Sequence, residues 1–319
     1  MKKIMDVLKS RAIWVFLILM IIFFSVVSNN FFTARNLLNI GRQVAIYGIA
    51  SIGMTYVILL GGIDLATGSI ISLVNIVAAY IMVNMGMNPV LAIIAALIVS
   101  TLIGLLNGII IAEIRMPALI VTFASQTIFA GLAYIICGGV PISRFPDSFL
   151  FLGQGYVGPI PFPIILMVIC FAVGAFILDK TYFGRYFYAL GGNEEAAELS
   201  GIRVKRIKYL VYALSGFFAG IAGLVMLARA NTGQPNAGEG YEFDVITCVV
   251  LGGVSVNGGS GKMSNVVAGV LIIGILSNGM VLMNISSYTQ MIIKGIILLL
   301  AVGSDCIQQM RLTQAKKAA

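Results

Sequence analysis

Histidine is absent from the 319 residues, and charged residues make up only 10% of them. Without histidine there is no Ser-His-Asp or Cys-His nucleophile arrangement and no imidazole ligand for zinc. Soluble domains are about one quarter charged. With 60% hydrophobic residues, this chain is too apolar for one water-soluble core. These absences exclude a soluble enzyme and favour a protein of the lipid bilayer.

Cysteine is sparse as well. The four residues Cys137, Cys170, Cys248 and Cys306 form no CxxC pair, and Cys170 and Cys248 lie inside apolar runs. A free cysteine in such a run behaves as a small hydrophobic side chain. The pattern favours packing over a disulfide or a metal site, and we predict no metal centre.

Long apolar runs are abundant, and a spanning helix needs about 20 apolar residues. We predict ten spans, at 12–28, 43–60, 67–85, 89–112, 117–137, 161–178, 207–228, 242–254, 263–283 and 288–305. The eighth is too short to span alone, so we expect it to be broken, tilted or extended by buried Gly-rich backbone. The predicted fold class is an all-α integral membrane protein of about ten transmembrane helices, forming a single transmembrane domain over residues 1–319.

Basic residues set the predicted orientation. Four of them, at positions 2, 3, 9 and 11, precede the first apolar run, and no small-residue cleavage site follows it, so we expect an uncleaved first helix. With both termini in the cytoplasm, fifteen of the twenty basic residues fall in inside segments and four in outside segments. This bias is typical of membrane proteins. The longest loops are then 138–160 outside, which we expect to be irregular, and 179–206 inside.

Two stretches resemble each other within the chain. TYVILLGGIDLATGS begins at Thr55 and TCVVLGGVSVNGGSG begins at Thr247, and both run from an apolar strip into Gly-Gly. Either apolar, Gly-rich helices coincide here by chance, or the chain carries an internal duplication of the kind transporters often show.

The inside loop contains a helix signal. Gly191–Gly192 permits a sharp turn, and Asn193 is a suitable N-cap because its side-chain oxygen accepts from free backbone amides. Glu194 and Glu195 follow in the first turn, where the helix dipole favours negative charge. Gly201 is placed to end the helix. The pattern predicts a helix of about two turns.

So short a helix is marginal in water on its own. Either it packs on its own transmembrane ends, or it docks to a cytoplasmic partner. In the second case we expect Ala196, Ala197 and Leu199 to form the apolar contact. The three glutamates, Glu194, Glu195 and Glu198, would then lie at the rim.

Five segments carry a family resemblance, one of them NFFTARNLLNI from Asn30 to Ile40. GRYFYALGGNEEAAELSGI, from Gly184 to Ile202, resembles the coupling loop of bacterial ABC importer permeases of the ribose family, within the branched-chain-amino-acid/ribose permease superfamily. Gly61–Ser69, Gly240–Gly259 and Ile285–Val302 are similar to further motifs of that family, in the same order. Ala66 and Thr67 depart from its usual residues, which leaves the substrate open.

The resemblance implies a permease that moves a neutral monosaccharide, ribose first among the candidates, across the bacterial cytoplasmic membrane. Its partners would be a second copy of itself or a homologous permease, a cytoplasmic sugar ABC ATPase and an extracytoplasmic sugar-binding protein; no nucleic acid is implied. The chain would be a transport subunit, not an enzyme, and it would bind no cofactor, with ATP and Mg²⁺ on the ATPase. The nearest approach to a P-loop is residues 258–263. Val256, just before it, and Met263 stand where a P-loop needs Gly and Ser or Thr. The alternative is an ion-coupled secondary sugar transporter, which needs acids deep in the membrane.

Polar residues within apolar spans are candidates for the substrate path. Asp64 either caps the next helix or contacts sugar. Glu242 and Asp244 are either interfacial or bonded to loop groups, and Lys294 either snorkels or pairs with Asp64 or Asp244.

Amide side chains form the other polar set, because an amide both donates to and accepts from a sugar hydroxyl. Among them we select Asn75, Gln126 and Asn278, with Asp64, for the substrate path. Hydrogen bonding between helices is the alternative. Gly216, Gly220 and Gly223 predict close helix packing.

Overall fold

The computed structural model describes residues 2–317, with side chains described for residues 13–307 and 310. Within these residues the chain forms thirteen α-helices. They are α1 (Lys2–Val27), α2 (Ala34–Leu59), α3 (Ala66–Val83), α4 (Pro89–Glu113), α5 (Ala118–Cys137), α6 (Asp147–Gln154), α7 (Phe162–Lys180), α8 (Tyr182–Gly192), α9 (Glu194–Leu199), α10 (Val204–Ala230), α11 (Tyr241–Leu251), α12 (Met263–Leu282) and α13 (Ser287–Lys317). The all-α prediction is confirmed.

Eight of the described helices are long and apolar enough to cross a bilayer: α2, α3, α4, α5, α7, α10, α12 and the Ser287–Ile307 part of α13. The shorter apolar stretch Ile13–Val27 belongs to α1. Each of the ten predicted spans coincides with a helix, and the eighth is the eleven-residue α11. At about 1.5 Å per residue, α11 covers only about half of a bilayer core.

The second span begins earlier than predicted. The predicted span starts at residue 43, with Arg35 and Arg42 in an outside segment, but α2 begins at Ala34. The Thr33 hydroxyl accepts from the Asn36 amide at 3.3 Å and so caps the helix. Arg42 therefore lies within the helix rather than in an outside loop.

Helices α2 and α10 form the centre of the bundle, with α10 packed on α4, α2 and α3. Glycines permit the close approach of α10 to its neighbours. A Cβ atom on Gly216 would lie 2.2 Å from the Ser100 carbonyl oxygen, and one on Gly220 would lie 2.2 Å from Ser100 Oγ. Gly223 approaches Ile71 of α3 in the same way. The predicted role of these three glycines in helix packing is confirmed.

The loop at 138–160 is more regular than predicted. It contains α6 and the two-residue strands β1 (Ile142–Ser143) and β2 (Tyr156–Val157), and β3 (Ile160–Pro161) begins at its last residue. Strand β2 pairs with β3, and β1 pairs with β4 (Thr232–Gly233), both antiparallel. Phe149 is fully buried, and Gln154 Nε2 donates to the Ala228 carbonyl at 3.1 Å, so α6 is held against the end of α10. Burial of one apolar face stabilises this short helix in a loop that we expected to be irregular.

The bundle has two ends, which we name by their helices. The α6 end carries residues 138–160 and the last turn of α10. The α9 end carries α8 and α9, the loop at 60–65 and the loop at 252–262. Of the cysteines, Cys170 and Cys248 are buried and unpaired, as predicted.

Candidate functional site

The short helix α9 has the caps that its sequence predicts. Asn193 Oδ1 accepts from the Ala196 amide at 2.9 Å, and Glu194 and Glu195 occupy the first turn. At the other end Gly201 has φ +85°, a conformation that favours glycine, and its amide donates to the Glu198 carbonyl at 2.9 Å. The helix therefore starts and stops where predicted.

The Gly191–Gly192 pair does not form the predicted turn. Both residues lie in the last turn of α8, and neither has positive φ. Gly191 is needed for proximity instead: a Cβ atom there would lie 1.7 Å from the Leu59 carbonyl oxygen and 2.4 Å from the Gly259 amide nitrogen. The missing side chain makes room for a neighbouring backbone.

The exposed face of α9 also differs from the prediction. Ala197 is buried against its own chain, with 5% of its surface exposed, whereas Leu199 is 85% exposed. Ala196 is exposed beside it. The apolar surface available to a partner is therefore formed by Ala196 and Leu199, without Ala197.

The three glutamates of α9 are exposed and line a charged cleft of about 660 Å³. Glu194 forms an ion pair with Lys208 of α10 at 2.7 Å. Glu195 and Glu198 line the same cleft, whose other walls include Arg115 and Lys205 from the α4–α5 turn and the start of α10. The ion pair connects the short helix to the spanning helix α10 and helps to hold it in place.

Five glycines lie close together next to the start of α9, and we call them the glycine junction. They are Gly61, Gly191, Gly192, Gly258 and Gly259. The Gly259 amide donates to the Leu59 carbonyl at 2.9 Å. Cβ atoms on Gly258 and Gly259 would lie 2.8 Å from the amide nitrogens of Gly61 and Gly192 respectively. Backbone therefore contacts backbone where α2, α8 and the loop at 252–262 meet.

The loop at 252–262 is held from two further sides. Asp305 of α13 accepts from the Val256 amide at 3.0 Å and from Ser255 Oγ at 3.1 Å. Tyr188 of α8 donates through its hydroxyl to the Gly261 carbonyl at 2.8 Å. Asp305 was not selected from the sequence, although it is the last residue of the predicted span 288–305.

Asp64 has the capping role, one of its two predicted alternatives. It is fully buried; Oδ1 accepts from the Ala66 amide at 3.0 Å and Oδ2 accepts from Ser215 Oγ at 2.7 Å. Because both oxygens are occupied, the carboxylate fixes the start of α3 and joins it to α10.

This role predicts a stability difference between two substitutions of Asp64. Asp64→Ala removes the cap and leaves the Ser215 hydroxyl without its acceptor, a loss of about 2 to 4 kcal/mol in unfolding free energy. Asp64→Asn keeps an acceptor for the Ala66 amide, so its melting temperature in detergent should fall much less. Equal melting temperatures for the two variants would contradict the capping role.

The two asparagines selected for the substrate path bond to other helices. Asn75 Nδ2 donates to the Gly223 carbonyl at 3.0 Å, linking α3 to α10. Asn278 exchanges two hydrogen bonds of 2.9 and 3.0 Å with Asn36, linking α12 to α2. Asn36 was missed because it precedes the predicted second span. These contacts match the alternative of hydrogen bonding between helices.

Two polar pairs connect α11 to neighbouring helices. Gln126 Nε2 donates to Glu242 Oε1 at 2.7 Å, and Lys294 pairs with Asp244 at 2.7 Å. Glu242 is only 2% exposed, so it is not interfacial. Of the alternatives for Lys294, the structure has the pair with Asp244. Helix α11 is thus tied to α5 and α13 by polar contacts within the bundle.

A family model for the permease component of branched-chain amino acid transport systems matches residues 36–302. The chain belongs to this family. Among its relatives, the ribose import permease proteins of Haemophilus influenzae and Bacillus subtilis are 44% and 43% identical to it. Each match covers 91% of this chain and 90% of the relative. The L-arabinose transport system permease protein of Escherichia coli K12 is 40% identical over 88% of this chain and 85% of its own.

No solved structure is significantly similar to the chain. The matched region of the permease family extends from the start of α2 into α13. It therefore includes α9, the glycine junction and the polar contacts around α11. The chain is a multi-pass membrane protein, and it is a transport component rather than an enzyme.

Proposed function

We propose that this chain is the permease subunit of an ATP-binding-cassette importer that carries ribose into a bacterial cell through the inner membrane. The similarity to ribose import permeases over nine tenths of both chains carries this proposal. The weaker identity to an arabinose permease supports a pentose as the class of sugar.

Helix α9 would be the contact to a cytoplasmic ATPase, which would hold the ATP and Mg²⁺ of the importer. Its exposed Leu199 and Ala196 offer an apolar surface at the tip of the inside loop 179–206. Exposed apolar groups at a short capped helix fit a docking element better than a lipid contact, since charged residues surround them. The α9 end would then be cytoplasmic, as the basic residues predict.

The glycine junction supports a path for coupling. A force on α9 reaches α8 through Asn193, and α8 contacts the end of α2 and the loop at 252–262 with no intervening side chains. Close-packed interiors transmit strain because they have few voids. ATPase movement at α9 would therefore displace α2 and the α11–α12 loop together, and alternate the access of the sugar route. A second permease and an extracytoplasmic binding protein would complete the importer.

The alternative function, an ion-coupled secondary transporter, is less well supported, because the two acidic residues that could bind a coupling ion already have partners in the protein. It needed Asp64 or Asp244 to bind a coupling ion within the membrane. Asp64 is occupied by Ala66 and Ser215, and Asp244 by Lys294. A secondary transporter would also have no role for the capped helix α9.

Reconstitution tests the proposal directly. In proteoliposomes containing the permease, its ATPase and a ribose-loaded binding protein, we expect ribose uptake that requires ATP and stops when the ATPase is left out. An ATPase variant unable to hydrolyse ATP is the control. Uptake driven by a proton or sodium gradient without the ATPase would overturn the proposal in favour of the secondary transporter.

A further inference from the structure

The segment 231–240, between α10 and α11, is non-helical yet runs deep into the bundle alongside α3. A Cβ atom on Gly233 would lie 2.9 Å from Cβ of Ala79, near one end of α3. Farther along, the Gly238 amide donates to Ser72 Oγ at 2.8 Å, and a Cβ atom on Gly238 would lie 2.1 Å from the Gly68 carbonyl. The segment thus follows α3 from Ala79 down to Gly68.

Those contacts give the depth of the segment. Ala79 and Gly68 are eleven residues apart on one helix, which corresponds to about 16 Å at 1.5 Å per residue. A bilayer core is about 30 Å thick, so the segment descends through about half of it from the α6 end. At its bottom Tyr241 stacks on Tyr47, which lies near the middle of α2, with ring centroids 5.0 Å apart. Helix α11 therefore starts near the middle of the bilayer.

Burial alternates along this segment. Gly233, Pro235 and Gly238 are buried. Of these, Gly233 and Gly238 pack against α3. The polar residues between them, Gln234, Asn236 and Glu239, are exposed. One side of the segment is thus packed on the protein, and the other presents two amides and a carboxylate at membrane depth.

Such a side cannot face lipid. Irregular backbone at membrane depth is tolerated only where it is buried in protein or lines a water-filled cavity, because lipid cannot hydrogen-bond to it. An ionisable residue within the membrane carries a further cost and faces a bundle interior or water. Glu239 and its two neighbours therefore face an aqueous route.

The chemistry of this side suits a neutral sugar. Amides donate and accept, and a carboxylate accepts, so all three residues can bond to hydroxyl groups. Phe243, one turn farther on and 50% exposed, adds an apolar ring for the C–H face of a sugar. Substrate sites of transporters commonly lie near the midplane where a helix is broken.

We propose that Gln234, Asn236 and Glu239, with Phe243 next to them, line the route that the sugar takes through this permease. The aqueous route is argued from the exposure of these side chains and the depth of the segment, whereas the sugar as its occupant rests on the proposed function. None of the four was among the residues selected from the sequence. The first three lie in a Gly- and Pro-containing stretch between two apolar runs, which has the pattern of an ordinary loop, and Phe243 is one apolar residue of the predicted span 242–254.

Cysteine accessibility tests the aqueous route without any sugar. The four native cysteines are replaced by serine or alanine, and Asn236→Cys, Glu239→Cys and the control Ile128→Cys are introduced one at a time. Ile128 is 63% exposed on α5, two residues from Gln126, whose contact with Glu242 places it near the same depth. We expect a charged methanethiosulfonate to modify positions 236 and 239 at least tenfold faster than 128. Equal rates at all three positions would overturn the proposal.

Transport tests the sugar contact in the intact importer with its ATPase and binding protein. We expect Asn236→Ala and Glu239→Ala each to lower ribose uptake per complex about tenfold, with co-purification of the ATPase unchanged. Thr127→Ala, on the exposed face of α5, is the control. If the wild-type importer moves ribose and both variants do so at full rate, the sugar contact is wrong. If the wild type moves no ribose, the proposed function fails, and the labelling rates still decide the aqueous route.

Discussion

Replacing Gly191 with alanine should nearly abolish sugar uptake, whereas the same change at Gly192 should have little effect. The new Cβ atom at position 191 would lie 1.7 Å from the Leu59 carbonyl oxygen, while one at position 192 meets nothing within 4 Å. Both residues lie in the last turn of α8 without positive φ, so the backbone conformation suits alanine at either position. The two variants differ only in the contact.

The size of the effect follows from what must move. The obstacle is backbone, which cannot rotate away like a side chain, so α8 and the following α9 must shift from the end of α2. Overpacking of this kind costs about 1–3 kcal/mol or more. Since the proposed coupling passes through this contact, a displaced α8 would no longer pass movement of α9 on to α2.

Uptake is measured in proteoliposomes with the complete importer, normalised to the amount of permease present. We expect Gly191→Ala to lower uptake by more than tenfold with the ATPase still bound, and Gly192→Ala to stay within twofold of the wild type. Similar uptake by the two variants would show that the glycine junction does not transmit movement from α9.

Much of the architecture could be predicted from the sequence, because apolar runs and caps are local signals. All ten predicted spans coincide with helices, and α9 is capped by Asn193 and ended by Gly201. The start of α2 was misplaced, with Arg35 and Arg42 in an outside segment. Their position in a helix depends on what lies around them, which periodicity along one segment cannot reveal.

The contacts between segments could not be predicted. Gly191 was assigned to a turn because glycine permits unusual backbone angles, yet it is helical, and its role here is to let Leu59 of another helix come close. The amides show the same limit. Asn75 and Asn278 have the composition of a sugar site, but each is bonded to a helix far away in the chain. Only the fold distinguishes a residue that lines a route from one that joins two helices.

The side of α9 on which Ala197 lies could not be predicted from the sequence, because a six-residue helix is too short to show a periodic pattern. The sequence predicts a docking surface in which Ala197 contributes to the apolar contact together with Ala196 and Leu199. Since Ala197 is buried in its own chain, a large residue there would disturb the permease itself, and the docking surface must be tested at Leu199.

Leu199→Asp should therefore abolish association with the ATPase while leaving the permease folded. The side chain is 85% exposed, so the isolated permease loses little by the change. A carboxylate buried against an apolar cleft would lose its hydration without gaining a partner, which costs several kcal/mol. Leu199→Met is the matched control, because it keeps the apolar contact. The measurements are co-purification of the ATPase and the melting temperature of the permease alone.

Ala197→Trp separates docking from folding in the same two measurements. It should lower the melting temperature of the isolated permease, because Trp replaces a buried Ala, and association would fall only as a consequence. Leu199→Asp should show the opposite pattern, with a normal melting temperature and an ATPase yield reduced more than tenfold. If the Leu199→Asp permease still co-purifies with its ATPase at the wild-type ratio, α9 does not dock through its exposed apolar face, and coupling must enter the protein elsewhere.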